Sequence, residues 1–555
     1  MKRKRYLLVM FMALYCLACS KSSVNSTSNP QPFKILASSV NGQSASLYYN
    51  ISNHPLVKVS FSSPVDPSTV NANVFFNQVG SAPVLYTYSL ENNDSTLTIQ
   101  TSSTFLPLTE YAVTITTGLQ SQQKVTLNAS KTITFFTAID STNKFPLITD
   151  SQLLDSVQRR TFSYFWEFGH PVSGMARERN TSGDVVTTGG TGFGVMSIVA
   201  AVDRNFITRT EGLARVNTIV NFLMNNCTRY HGAFSHWING VTGATIPFSP
   251  DDNGADLVET SYMMEGLLCA RQYFNTADAN EVNLRANINS LWNGVEWNWF
   301  RQGGQNVLYW HWSPDKGFII NAQIKGWNEA LIVYALAASS PTDSIPRVVY
   351  DNGWASNGGE RNGASFYGIQ LPLGPSYGGP LFFAHYSFLG INPNSLTDTY
   401  ANYWNQNVAH SLINYNYCVA DPGGYFGYSS SCWGLTASDD NITGYAAHAP
   451  YQNDDGVITP TAAISSIPYT PTQSLNALRF FYYKLGDKIW GQYGFMDAFN
   501  LSSLWYSNTY LAIDQGPQIV MIENYRSGLL WNLFMSCPEI KKGMKQIGFQ
   551  SPYLN

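Results

Sequence analysis

Residues 149–168 read Thr-Asp-Ser-Gln-Leu-Leu-Asp-Ser-Val-Gln-Arg-Arg-Thr-Phe-Ser-Tyr-Phe-Trp-Glu-Phe. Leu154, Val157, Thr161, Tyr164, Phe165 and Phe168 recur at helical spacing, so one face of a helix is apolar. Thr149 followed by Gln152 is a capping-box pair that starts it. Similar stretches follow at about 209–226, 256–274, 280–299, 327–339, 397–417, 471–486 and 519–535. Thr470-Pro471-Thr472-Gln473 is another helix start, with Pro at the first helical position. Roughly a dozen helices fit into 151–555, joined by long loops rich in Gly, Asn and aromatic residues. Long structured loops on a helical scaffold usually build a site. Paired helices of this number predict a mainly α domain, an (α/α)6 barrel, and no tandem repeat of the solenoid kind is present.

Upstream the period changes from helical to two. Val57, Val59 and Phe61 alternate, as do Leu97 and Ile99, then Tyr111, Val113 and Ile115, then Ile133 and Phe135. Turn clusters such as Asp66-Pro67-Ser68 and Glu91-Asn92-Asn93-Asp94 separate the runs. Residues 33–138 therefore predict a small all-β sandwich, with 139–150 as a linker. Residues 20–32, rich in Ser, Asn and Pro, read as a flexible tether. Residues 1–19 read as an export signal, with a basic start and an apolar run from Tyr6 to Leu17 too short to span a bilayer.

The chain of 555 residues is 44% hydrophobic and 14% aromatic but only 12% charged, about half the charge of a typical soluble domain. That excludes a coiled coil and a charged disordered tail. Formal net charge is −4, and it becomes −8 once Lys2, Arg3, Lys4 and Arg5 leave with the signal. An acidic chain argues against nucleic acid and polyanionic glycans, which need clustered Lys and Arg. Five cysteines remain after the signal, with no CxxC metal spacing, so buried thiols are expected and a Cys418–Cys432 bridge is open. The eight histidines form no zinc pattern, and no Gly-x-Ser-x-Gly elbow occurs. No metal or cofactor is expected.

Several acids lie in loops crowded with aromatics and Gly, as glycoside hydrolysis by a carboxyl pair requires. Asp256 and Glu259 are three apart at a helix start and share one face. Mutual repulsion would raise one pKa, as suits a general acid, but the same spacing is a capping box. Asp439 and Asp440 follow the Trp433-Gly434 turn and read either as a base or as turn aspartates. The run Thr187-Thr188-Gly189-Gly190-Thr191-Gly192-Phe193-Gly194 lacks the Lys-Ser/Thr of a phosphate loop, and reads as a Gly-rich helix entry or a plain loop.

The motifs together carry a resemblance. Val59–Val70 and Leu106-Pro107-Leu108-Thr109-Glu110-Tyr111 look like a bacterial Ig-like module. Trp166–Pro171, Ala176–Arg179, Asp184–Gly194, Ala255–Ser261, Gly326–Ala330, Pro380–Ser387, Cys432–Asp439 and Ala512–Pro517 resemble the bacterial glucoamylase-like domain, including glycoside hydrolase family 144. The resemblance implies an (α/α)6 barrel and an inverting endo-hydrolase releasing sophorose and short oligosaccharides from β-1,2-glucan. It implies Glu259 as acid, with Asp184 and Asp439 as further cleft acids and Asp439 favoured as base. Arg177, Arg179, Trp166, Trp312, Glu329, His385, Tyr386 and Trp433 are the implied sugar contacts. Leu17-Ala18-Cys19 resembles a lipoprotein signal, with Cys19 lipidated and the chain a monomer anchored on the periplasmic side of the outer membrane or at the cell surface. An exo-acting glucosidase and a non-catalytic glycan-binding lipoprotein are the competing expectations.

Overall fold

The computed structural model describes residues 31–81 and 83–555. Cys19 and the signal lie outside them. Two compact units part between Ala138 and Ile139.

The first unit holds eight strands: β1 (Ile35–Val40), β2 (Tyr48–Ile51), β3 (Leu56–Phe61), β4 (Val74–Gln78), β5 (Thr87–Glu91), β6 (Thr96–Gln100), β7 (Glu110–Ile115) and β8 (Lys131–Thr137). A one-turn helix, α1 (Val70–Asn73), precedes β4. The strands form two four-stranded sheets, in the orders β1-β3-β6-β5 and β2-β8-β7-β4. The period-two residues are the reason. Val57, Val59 and Phe61 of β3 and Tyr111, Val113 and Ile115 of β7 are buried, while the residues between them are part-exposed.

The second unit is an α/α barrel. Its helices are α2 (Asp150–Trp166), α3 (Thr188–Asp203), α4 (Arg209–Asn225), α5 (Leu257–Tyr273), α6 (Ala279–Asn293), α7 (Leu331–Ser339), α8 (Arg347–Asn352), α9 (Tyr403–Ala420), α10 (Pro460–Ser465), α11 (Pro471–Ile489), α12 (Ala512–Arg526), α13 (Leu529–Ser536) and α14 (Pro538–Gln546). Nearly every residue of α3, α5, α7, α10 and α12 is buried, so these form the inner ring. The sixth inner position is filled by two 3-10 turns, Leu381–Ala384 and Tyr386–Phe388. Hydrogen bonds from His385 to Ser466 and from the Tyr469 hydroxyl to Ala384 O close the ring toward α10. Helices α2, α4, α6, α9 and α11 bury one face and expose the other, as an outer layer must.

Local chemistry sets several boundaries. Thr149 caps α2 through a complete capping box with Gln152, as its sequence predicts. Thr470 behaves differently: its hydroxyl bonds Ser466 O and Ser474 and caps nothing. The stretch expected as one helix over 519–535 is two, because Gly528 takes a left-handed φ of 71° between α12 and α13. Residues 139–150 are packed rather than loose: the Lys144 N–H donates to Tyr483 O at 2.8 Å and Phe145 lies against Tyr482. The five described cysteines are free thiols, four of them buried, including Cys418 and Cys432. No described helix is long and apolar enough to cross a membrane.

Candidate active site

The Gly-rich run at 187–194 is a helix entry, and it shapes the site. Strand Val185–Thr187 feeds straight into α3. A Cβ on Gly192 would lie 2.1 Å from Tyr262 O, and one on Gly266 would lie 2.1 Å from Gly192 O. The helices α3 and α5 are thus pressed backbone to backbone where only glycine fits. That approach brings the α3 N-terminus against Glu259 in the first turn of α5. Glu259 Oε2 accepts from the Gly189 N–H at 2.7 Å and from Thr187 Oγ1 at 3.2 Å.

The capping reading is half realised. Asp256 caps α5, its Oδ1 accepting from the Val258 and Glu259 N–H groups at 3.0 and 2.9 Å. Glu259 does not return the bond, since the Asp256 N–H donates to Phe234 O instead. The Glu259 carboxyl is therefore left to Thr187, a cavity-lining residue, and the Gly189 amide. Burial pushes it above the usual carboxylate range, against the pull of the His236 cation and the Gly189 amide.

His236 completes this wall. Its Nδ1 pairs with Asp256 Oδ2 at 3.1 Å, and His311 Nε2 stands 3.7 Å from the same oxygen. Burial opposes the His236 cation, yet the charges of Glu259, Asp256 and Asp252 with the Asp256 hydrogen bond carry it up to about 9. Ligand atoms of His236, Asp252 and Asp256 fall within 4.8 Å of one another, as do those of Asp440, His448 and Asp455; these are the two described groups that could hold a metal ion. In the first, the imidazolium already neutralises Asp256.

The opposite wall centres on Asp439, on a hairpin of Ala437–Asp440 with Gly444–Ala447. Asp439 Oδ1 accepts from the Arg179 guanidinium at 2.9 Å, and Oδ2 accepts from the Ser507 and Thr509 hydroxyls. Its own N–H donates to Asp497 Oδ2 at 2.7 Å. Asp497 and Asp514 are buried and hydrogen-bonded to each other; burial and the neighbouring Asp439 charge raise Asp497 to about 7. Arg179 also pairs with Glu178, at 3.0 Å. Between the walls lies a cavity of about 300 Å³, lined by Glu178, Arg179, Thr187, His236, Trp237, Phe248, Tyr445, Leu511 and Ile513. Rings and charged groups on one concave surface suit a ligand with apolar faces and hydroxyl edges.

Of the expected residues Arg179 lines this cavity, while Glu259 and Asp439 stand one hydrogen bond behind it, on the lining residues Thr187 and Arg179, and two other expected residues lie near Glu259. Tyr386 packs on Phe193 and Tyr262, the α3 and α5 residues behind Glu259. Glu329 is half-buried and close enough to Glu259 to feel its charge, and desolvation raises it to about 7. Trp312 packs beside Trp299 and His231, with its strand paired to Ala255.

The remaining expected contacts lie outside the cavity lining. Asp184 has a side chain 60% exposed and pairs with His170 at 3.2 Å. Arg177 spends its guanidinium on Gly183 O and Phe168 O and lies over the Phe168 ring. Trp166 stacks on Phe162 beneath Arg215. Trp433 is fully buried against Tyr415 and offers no face to a sugar. His385 is buried and bonded to Ser466, and burial lowers it to about 3, so it is a neutral strut. Sequence reasoning missed Glu178, His236, Trp237, Phe248, Tyr445 and Asp497. Only Glu178, inside the Ala176–Arg179 motif, carried a signal.

An α/α barrel with buried acids behind an aromatic cavity is an architecture of carbohydrate-active proteins, and the comparisons make the family specific. Residues 321–538 match the Glycoamylase family model, described as "Putative glucoamylase", and residues 37–137 match a bacterial Ig-like domain. An exo β-1,2-glucooligosaccharide sophorohydrolase (non-reducing end) of Parabacteroides distasonis is 47% identical over 429 residues, 73% of this chain and 59% of that protein. The chain thus spans less than two thirds of that relative. An endo-β-1,2-glucanase of Chitinophaga pinensis, solved with sophorotriose and glucose, is 50% identical with a TM-score of 0.72, over 73% of this chain and 100% of that one. A β-1,2-glucanase structure from Parabacteroides distasonis is 39% identical with a TM-score of 0.70, over 93% of this chain and 72% of that one. The chain belongs to the glucoamylase-like family.

Proposed function

We propose that the chain is a glycoside hydrolase that cleaves β-1,2-glucan within the chain and with inversion. The observation that carries this reading is a buried Glu259 carboxyl, raised in pKa, bonded to Thr187, and an Asp439 bonded to Arg179, where Thr187 and Arg179 line one cavity. Glu259 is the acid, protonating the glycosidic oxygen as the C–O bond breaks. Asp439 is the base, taking the proton of a water that attacks the anomeric carbon from the other face. Arg179, Ser507 and Thr509 fix its orientation. Inversion asks for carboxyls about 6.5–9.5 Å apart, with room for that water. The relatives named for β-1,2-glucan or its oligosaccharides support the substrate class. So does the chain's acidity, which disfavours anionic glycans.

A second reading is exo release of sophorose, favoured by the 47% identical relative named for that action. Product sizes in the first minutes separate the two: a ladder of oligosaccharides supports the endo reading, and sophorose alone supports the exo one. NMR of the newly formed anomer tests inversion. A lipid anchor at Cys19 belongs to the same proposal, since an envelope glucanase meets its polymer outside the cytoplasm.

A further inference from the structure

The hairpin that carries Asp439 has two faces. Asp439 pairs directly with Tyr445 across the strands; Tyr445 lines the catalytic cavity, and Asp439 holds Arg179, which lines it too. Asp440 and Ala446 point the other way, as alternation in a strand requires. There they line a second cavity of about 550 Å³, with Tyr425, Tyr451, Asn453, Asp454 and Asp455. The catalytic mechanism uses none of these residues.

Three features of this cavity point to a ligand. Its rim is a strip of tyrosines: Tyr451 lies 4.8 Å from Tyr377 and 4.9 Å from Tyr417, centroid to centroid, and Tyr377 lies 6.2 Å from Tyr367. Tyr451 is 57% exposed and Tyr367 is 39% exposed. Secondly, Tyr367, Tyr377 and Tyr451 all hold left-handed φ angles, of 54°, 65° and 61°. That region is uncommon for a bulky residue, and such strain gathers at ligand clamps. Thirdly, the polar lining is fixed in place. Asp454 accepts from the Tyr417 and Tyr428 hydroxyls, the latter at 2.6 Å, and Asp455 Oδ1 stands 3.5 Å from His448 Nδ1.

We propose that this second cavity binds a neutral glucan segment outside the catalytic cavity, with Tyr451 as a sugar platform and Asp454 as a hydroxyl acceptor. Exposed tyrosine faces suit sugar rings, and fixed carboxylates suit their hydroxyls. The catalytic hairpin is the wall between the two cavities, so a long chain held here presents its remainder to Asp439 at raised local concentration.

The inference rests on the glucanase reading, and its test separates the two. Tyr451→Asn in the full chain suits the left-handed backbone, since Asn tolerates that region. On long linear β-1,2-glucan we expect KM to rise about 2- to 10-fold with kcat unchanged, the range one aromatic contact is worth. Turnover of a β-1,2-linked tetrasaccharide should be unchanged, and Tyr451→Trp should restore the polymer KM. Binding of the polymer to the Glu259→Gln chain should weaken by the same factor on adding Tyr451→Asn. An unchanged polymer KM and binding, or an equal loss on the tetrasaccharide, overturns the proposal. Absence of any hydrolysis by the unaltered chain overturns the glucanase reading instead, while the binding arm still decides the second cavity.

Discussion

Glu259 earns its role by what it does not do. A three-residue spacing from Asp256 offers it a cap, yet the cap is made by Asp256 alone and Glu259 turns to Thr187 and Gly189. Glu259→Gln keeps the shape and removes the transferable proton, so kcat should fall about 10²- to 10⁴-fold while glucan binding by calorimetry persists. Because burial raises the Glu259 pKa, the pH–rate profile should lose activity on its alkaline side as this carboxyl ionises, and that limb should vanish in the variant. His236 makes a stability prediction. Its folded value of about 9 exceeds the unfolded 6.5, so its contribution is complete below pH 6.5 and is lost as pH rises through about 9. The melting temperature of His236→Gln should lie below that of the unaltered chain at pH 6, and the gap should close by pH 10. The Asp256–Glu259 pair was legible because spacing along a helix start is local. His236, Trp237 and Tyr445 were not, since each reaches the cavity from a separate loop. Trp433 shows the same limit: a motif marks a segment, and folding decides which side chain of it faces inward.

At the scale of elements, the periodic helices were readable and the glycine-rich one was not. Helix α3 has a near-even spread of apolar residues and four glycines within its first seven positions, which on propensity alone reads equally as loop. Its helicity comes from tertiary packing, with Gly190 against Ala512, Gly192 against Tyr262 and Gly194 against Phe165. Gly192→Ala would drive a methyl into the α5 backbone. Overpacking of this kind costs about 1–3 kcal/mol or more, so urea denaturation should show a loss at least that large. Activity should fall as well, because the same contact sets Gly189 on Glu259. Outer-layer helix α4 provides the contrast. Its Thr208–Glu211 capping box is solvent-facing, so Thr208→Ala should cost about 1 kcal/mol in the same assay and leave kcat unchanged.

For the whole molecule, low charge and many aromatics turn out to serve different ends. Many of the large rings, Trp292, Trp297, Trp354 and Trp433 among them, are buried in the barrel. Trp237, Phe248 and Tyr445 face the catalytic cavity, and Tyr451 faces the second. Two units, a sandwich and a barrel, were legible from the change of period near residue 139, because period two and period 3.6 cannot describe the same packing. Substrate linkage was beyond any such pattern and rests on family kinship and the cavity together. The measurement that bears most directly on that claim is incubation of the full chain and its Glu259→Gln variant with linear β-1,2-glucan and with β-1,3-glucan, followed by chromatography of the products. Sophorose and short β-1,2-linked oligosaccharides from the first polymer only, and from the unaltered chain only, are the predicted result; no products from β-1,2-glucan, or undiminished products from the variant, would contradict it.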